Sequence, residues 1–233
     1  MKDTMRRFHK TDRVIFDMDG VIFDSEQACL ACWCELAERW GLDRIDEVFR
    51  KCIGTNLDQT RGIVENAYAS RFGEGIANKL LKESSVLFHS RYDGGRLPVK
   101  PGTKELLEYL REQGVPMGLA SSTRRESVEK ELDAAGFLDY FETLTCGDAV
   151  RVSKPDPEIY LLACEAMRVK PEEAWAIEDS YNGIRSAHAA GLHPIMVPDV
   201  IPADDEMRKL SEFICKDLTE VRMLLAEHLA KSV

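Results

Sequence analysis

The chain has 233 residues, 31 Lys and Arg against 41 Asp and Glu, a formal net charge of −10 and 44% hydrophobic residues. That length suits one sizeable core, or a core with a small second domain, and the composition excludes a disordered tail, a collagen-like repeat and a coiled-coil rod. The acidic balance provides no global basic footprint for nucleic acid or an anionic membrane surface, so an anionic ligand binds only where local cations outweigh the background.

Residues 14–16 (Val-Ile-Phe) run into Asp17-Met18-Asp19-Gly20. A short apolar run before a turn predicts a buried strand of a parallel sheet. From Ser25 to about Arg91 the pattern is helical: Cys29, Trp33, Leu36 and Trp40 recur at spacings of three and four, and Gly41 ends the run. Further helices are predicted over residues 57–68 and 75–90, with no strand in this block. Strand and helix alternate after Leu97. A helix over 103–113 closes at Gly114, a strand covers 115–120, and a helix over 125–135 closes at Gly136. A weaker strand falls within 140–146, then a helix over 157–167 and a strand over 174–177. A helix over Tyr181–Ala190 closes at Gly191. Strands at 194–197 and 213–215 and a helix over Leu218–Ala230 complete the chain. This order implies an α/β protein, a doubly wound parallel sheet with helices on both faces. The helical block interrupts it as an inserted domain at residues 26–92, leaving a core of 1–25 and 93–233. Hinges are expected at 24–27 and 92–98.

No apolar run reaches the ~18–20 residues that span a bilayer. The basic N-terminus has no apolar stretch of signal-peptide length behind it. Seven cysteines, an odd number in a chain this long, argue against a disulfide framework. The expectation is a soluble, reduced, cytoplasmic protein. Cys29-x-x-Cys32-x-Cys34 lacks a second ligand pair and is read as helix packing.

Asp17 and Asp19, Ser121, and Glu178 and Asp179 each follow a predicted strand, and Lys154 sits in the loop before Pro155. In open α/β sheets the ligand crevice lies outside the carboxyl ends of the strands. Each of these residues alone also reads as a cap or turn residue; their shared placement is what points to a site. Four crowded carboxylates require a cation, and hard oxygen ligands favour Mg²⁺. Lys154 and Ser121 then supply a point charge and a hydroxyl to a phosphate.

Asp17-Met18-Asp19-Gly20-Val21-Ile22-Phe23-Asp24-Ser25-Glu26 resembles the first motif of the haloacid dehalogenase superfamily. Ser121, Lys154-Pro155 and Glu178-Asp179-Ser180 resemble its second, third and fourth motifs in order. The subgroup most similar is the one that holds β-phosphoglucomutase and many small phosphatases. The resemblance implies a Rossmann-like core with a helical cap. It implies Asp17 as a nucleophile that forms an aspartyl-phosphate, and Asp19 as general acid and base. Asp17, the backbone carbonyl of Asp19, and Asp179 would hold Mg²⁺, with Glu178 a ligand or its neighbour. Ser121 and Ser122 would bind the phosphoryl group together with Lys154. An aspartate at position 19 marks phosphate-ester chemistry within the superfamily.

The resemblance thus implies a Mg²⁺-dependent phosphatase of a small phosphorylated metabolite, expected to be monomeric. A sugar phosphate mutase is the alternative; the mutase carries a histidine and an arginine where this chain shows Cys29 and Leu57. A non-catalytic binding protein with the same fold is a further alternative. Gly54, Thr55 and Asn56 of the insert, and Arg124 after the second motif, are candidate substrate contacts.

Overall fold

The computed structural model describes residues 8–9, 12–55 and 57–230. Six parallel strands form one sheet: β1 (Arg13–Phe16), β2 (Met117–Ser121), β3 (Thr143–Cys146), β4 (Ala174–Glu178), β5 (His193–Met196) and β6 (Phe213–Ile214). Their spatial order is β3-β2-β1-β4-β5-β6. The chain winds outward from β1 to β3, then crosses back to β4 and winds the other way. The point of reversal, between β1 and β4, is where such sheets leave a crevice beyond their carboxyl ends.

Side chains on alternate strand positions face opposite sides. Val14 and Phe16 of β1, Leu119 of β2 and Trp175 and Ile177 of β4 pack on one face against α5 (Thr103–Glu112), α6 (Arg125–Ala134) and α10 (Leu218–Ala230). Ile15, Ala120 and Ala176 face the other way, onto α7 (Glu158–Ala166) and α8 (Tyr181–Ala190). The strands therefore read as continuous apolar runs, as two covered faces require. Trp175 sits at the centre, fully buried, with its indole N–H donated to Asp12 Oδ2 at 2.9 Å.

Between β1 and α5 lies the helical insert: α1 (Ser25–Trp40), α2 (Ile45–Cys52), α3 (Leu57–Phe72) and α4 (Ile76–Tyr92). It has a hydrophobic cluster of its own, built on Trp33, Leu36, Phe49, Val64, Tyr68 and Leu80. α1 stops at Gly41, whose φ of 71° permits the left-handed turn back onto Ala37. The two chain crossings run side by side: Asp24 N–H meets Pro98 O at 2.8 Å, and Phe23 bridges to Val99. No helix among the described residues is long and apolar enough to cross a membrane.

Three local expectations shift. β2 starts at Met117 rather than at residue 115, because Pro116 has no N–H for a ladder. Only the second half of 140–146 is strand; Leu138–Tyr140 is a single 3₁₀ turn. α2 and the short α9 (Asp205–Leu210) carry too few turns for periodicity to mark them. α9 is capped by Asp204, whose carboxylate accepts the Met207 N–H at 2.8 Å.

Candidate active site

Asp17 follows β1 and still belongs to the sheet, its N–H donated to Ile177 O at 2.9 Å. Met18 then turns into the core, and its carbonyl accepts the N–H groups of Ile22 at 2.8 Å and Phe23 at 3.1 Å. Asp17 and Asp19 are left on the cavity side of this turn. Gly20 lets the turn lie against Asp179: a Cβ here would stand 2.2 Å from Asp179 Oδ2, and the φ of 76° disfavours any other residue.

Lys154 ties the carboxylates together. Its ammonium lies 2.7 Å from Asp17 Oδ1, 2.6 Å from Glu178 Oε1 and 3.0 Å from Ala120 O. Burial works to lower its pKa, but Asp17 and Glu178 outweigh burial and hold it above the ordinary lysine value. Glu178 is fully buried and accepts two further bonds, from Tyr160 Oη at 2.8 Å and Ser180 Oγ at 3.3 Å. α8 begins directly over this carboxylate. Only a glycine fits at Gly183, where a Cβ would stand 2.0 Å from the Glu178 carboxyl carbon.

Carboxylate oxygens of Asp17, Glu178 and Asp179 all lie within 4.8 Å of one another, and all three residues are buried. Burial pushes Asp17 well above the usual carboxylate range; Lys154 opposes this, and Glu178 and Asp19 add to it. Asp179 is raised likewise by burial, then by Glu178 and Asp17. One ammonium does not neutralise three carboxylates. A hard divalent cation fits this donor set and favours its ionised form. Asp17, Asp179 and Glu178 each offer an oxygen toward such an ion, although Glu178 Oε1 already accepts from Lys154 and Tyr160. The Asp19 carboxylate is outside the group and accepts a bond from Thr123 Oγ1 at 2.8 Å.

These residues floor a cavity of about 660 Å³ between sheet edge and insert. Asp17, Asp19, Ser122, Lys154 and Asp179 line it. Ser121 does not: fully buried at the end of β2, its Oγ accepts the Thr123 N–H at 3.0 Å and shapes the loop that presents Ser122 and Thr123. Glu178 lies behind Lys154, and Arg124 is exposed and outside the wall. Gly54 and Thr55 are on the wall, and the Gly54 carbonyl accepts a bond from the Asn182 amide of α8. Asn56 lies outside the described residues. Thr123, Tyr160 and Asn182 were not legible as site residues. Thr123 had a weak signal, two positions after Ser121. Tyr160 had none, since it meets Glu178 only across the packing of α7 on the sheet. The seven cysteines are free thiols, and Cys29 and Cys52 face the cavity.

The family model for haloacid dehalogenase-like hydrolases matches residues 14–197. The chain is 31% identical over 185 residues to a phosphorylated carbohydrates phosphatase of Thermotoga maritima, covering 79% of this chain and 83% of that one. It is 29% identical over 214 residues to hexitol phosphatase B of Escherichia coli, covering 88% and 95%. Among solved structures, a β-phosphoglucomutase of Clostridium difficile shares the fold at 22% identity, with a TM-score of 0.69 over 93% of this chain and 98% of that one. A haloacid dehalogenase family hydrolase of Deinococcus radiodurans, with bound phosphate and sodium, superposes with a TM-score of 0.78 at 24% identity, over 94% and 96%. With its ordered motifs meeting at one sheet edge under a helical insert, the chain belongs to the haloacid dehalogenase-like hydrolases, in the β-phosphoglucomutase-like phosphatase subgroup.

Proposed function

We propose that this hydrolase is a Mg²⁺-dependent phosphatase that cleaves a small phosphomonoester of the sugar phosphate kind by way of an aspartyl-phosphate on Asp17. One observation carries the reading: two carboxylates on the cavity floor are held differently, Asp17 by the Lys154 ammonium at 2.7 Å and Asp19 by the Thr123 hydroxyl at 2.8 Å. A nucleophile beside a fixed positive charge, and a second carboxylate free to exchange a proton, are what phosphomonoester cleavage needs.

Asp17 attacks phosphorus while the ester P–O bond breaks, and Asp19 gives its proton to the departing alkoxide oxygen. Asp19 then takes a proton from water as the water oxygen bonds to phosphorus and the Asp17–phosphorus bond breaks. Lys154 offsets the negative charge that Asp17 and the phosphoryl oxygens bring together. Ser122 offers its hydroxyl to those oxygens from the wall, Thr123 keeps its hydroxyl on Asp19, and Ser121 braces the loop that carries both. Asp17, Asp179 and the Asp19 carbonyl would hold Mg²⁺, which would supply further neutralising charge. The helical insert serves as a cap that covers the site and keeps bulk water out.

Relatives named for phosphorylated carbohydrates and hexitols support a sugar phosphate substrate. Cys29 and Leu57 both line the cavity, where the mutase carries a histidine and an arginine; this favours water over a second sugar as acceptor. The test is phosphate release over hexose phosphates, pentose phosphates and nucleoside monophosphates. Release from sugar phosphates that needs Mg²⁺ and stops on chelation is the expected result. A panel that releases nothing with Mg²⁺ present overturns the reading.

Thr123→Val removes the hydroxyl that positions Asp19. Turnover is expected to fall about tenfold, the size of one hydrogen bond to a charged group, and the pH–rate profile to shift with it. Unchanged kcat with an unchanged profile would detach Thr123 from Asp19.

A further inference from the structure

The cavity wall is short of positive charge beyond the phosphoryl end. Lys154 is its only lysine or arginine among the described residues, and Asp17 and Glu178 already occupy it. His89 at the far edge bonds to Asp93 at 2.8 Å. The loop that precedes α3, Ile53-Gly54-Thr55-Asn56-Leu57, contains no cation, and Arg61 one turn on is paired with Asp58 at 2.6 Å. Above the carboxylates the roof is apolar, made by Trp33, Phe49, Leu81 and Phe88 of the insert.

Glu26, in the first turn of α1, opens onto this space. Its carboxyl makes no hydrogen bond and no ion pair among the described residues. Burial, with Asp19 and Asp199 nearby, pushes its pKa up to about 7. A largely buried carboxyl without a donor, on the wall of a ligand cavity, is satisfied most simply by the ligand itself.

We propose that the site selects an alcohol leaving group that carries no second negative charge, and that Glu26 is the specificity-determining residue, accepting a hydrogen bond from a hydroxyl of that alcohol. The proposal rests on the phosphatase reading above. A hydroxyl-bearing, uncharged skeleton places its carbon face on the roof and a hydroxyl on Glu26. A second phosphate or a carboxylate in the same place is desolvated beside Glu26 and Asp19 with no cation to meet it.

A matched pair tests this: a hexitol 6-phosphate, and the hexonate 6-phosphate that differs only by a carboxylate in place of the terminal CH₂OH. With Mg²⁺ present and at about pH 8 to 8.5, above the Glu26 pKa of about 7, kcat/KM is expected to favour the hexitol phosphate at least about tenfold, since like charges meet across a dry contact. The same order is expected in dissociation constants measured by calorimetry on Asp17→Asn, which needs no turnover. Glu26→Gln and, separately, Leu57→Arg should each narrow the ratio about threefold or more, one by removing a negative charge and one by adding a positive one. Equal kcat/KM for the two phosphates in the unaltered protein overturns the selectivity while leaving the phosphatase reading intact. A ratio that neither variant narrows removes Glu26 and the charge deficit as its cause. If neither phosphate is turned over, the ratio of dissociation constants decides the selectivity, and the substrate panel above decides the phosphatase reading.

Discussion

Asp17→Asn is expected to lose phosphate release by about 10⁴-fold or more, the scale seen when a covalent nucleophile is removed. The amide has the same shape and can still accept a bond from Lys154, so the loss is one of chemistry. The fold should not suffer. Asp17 is buried beside Glu178 and Asp179, and burial with their charges raises its pKa. Neutralising it relieves repulsion, so the melting midpoint without metal stays the same or rises. Phosphate release and a thermal melt on one preparation check both halves. Appreciable turnover by Asp17→Asn would end the aspartyl-phosphate mechanism.

The opposite pattern is expected for Lys154→Met, which should damage activity and stability together. The ammonium is buried, 2.7 Å from Asp17 and 2.6 Å from Glu178. Without it, two desolvated carboxylates face each other. Breaking a buried pair by removing one partner costs about 3–5 kcal/mol, or roughly 10 °C of melting temperature in a protein of this size. Turnover should fall about 10³-fold, as for loss of a fixed charge aimed at the transition state. Adding Glu178→Gln to Lys154→Met separates the two effects: part of the stability returns, and the activity does not. Recovery of turnover in the double variant would show that Lys154 acts only through packing.

The placement of the motif residues was legible because each motif is local. Asp17 and Asp19 sit two apart after an apolar run, and that spacing with a strand before it already places both carboxylates at a sheet edge. Ser121, Lys154 and Asp179 follow the same logic on later strands and loops. What local spacing does not report is which neighbour each group meets. Ser121 was expected to bind the phosphoryl group; the spacing gives no sign that its Oγ also accepts the Thr123 N–H within its own loop. Glu178 was expected as a metal ligand or its neighbour; that Tyr160 reaches it from α7 and Lys154 from across the sheet edge is set only by the fold.

The strand–helix order and the positions of the glycine stops came from sequence periodicity, because β1, β2 and β4 are buried on both faces and their apolar runs are continuous. Short elements escaped: α9 has six residues, and its helix depends on the Asp204 cap more than on any apolar face. The motif residues and their order pointed to a phosphatase of this family. The tertiary structure alone decided how the charges divide: Lys154 clamps Asp17 to Glu178, Thr123 holds Asp19 apart, and Glu26 stands unpartnered under an apolar roof. Contacts along one segment are set by backbone geometry over a few residues, while these meet across 24 to 137 positions of sequence and exist only once sheet register and helix packing bring them together.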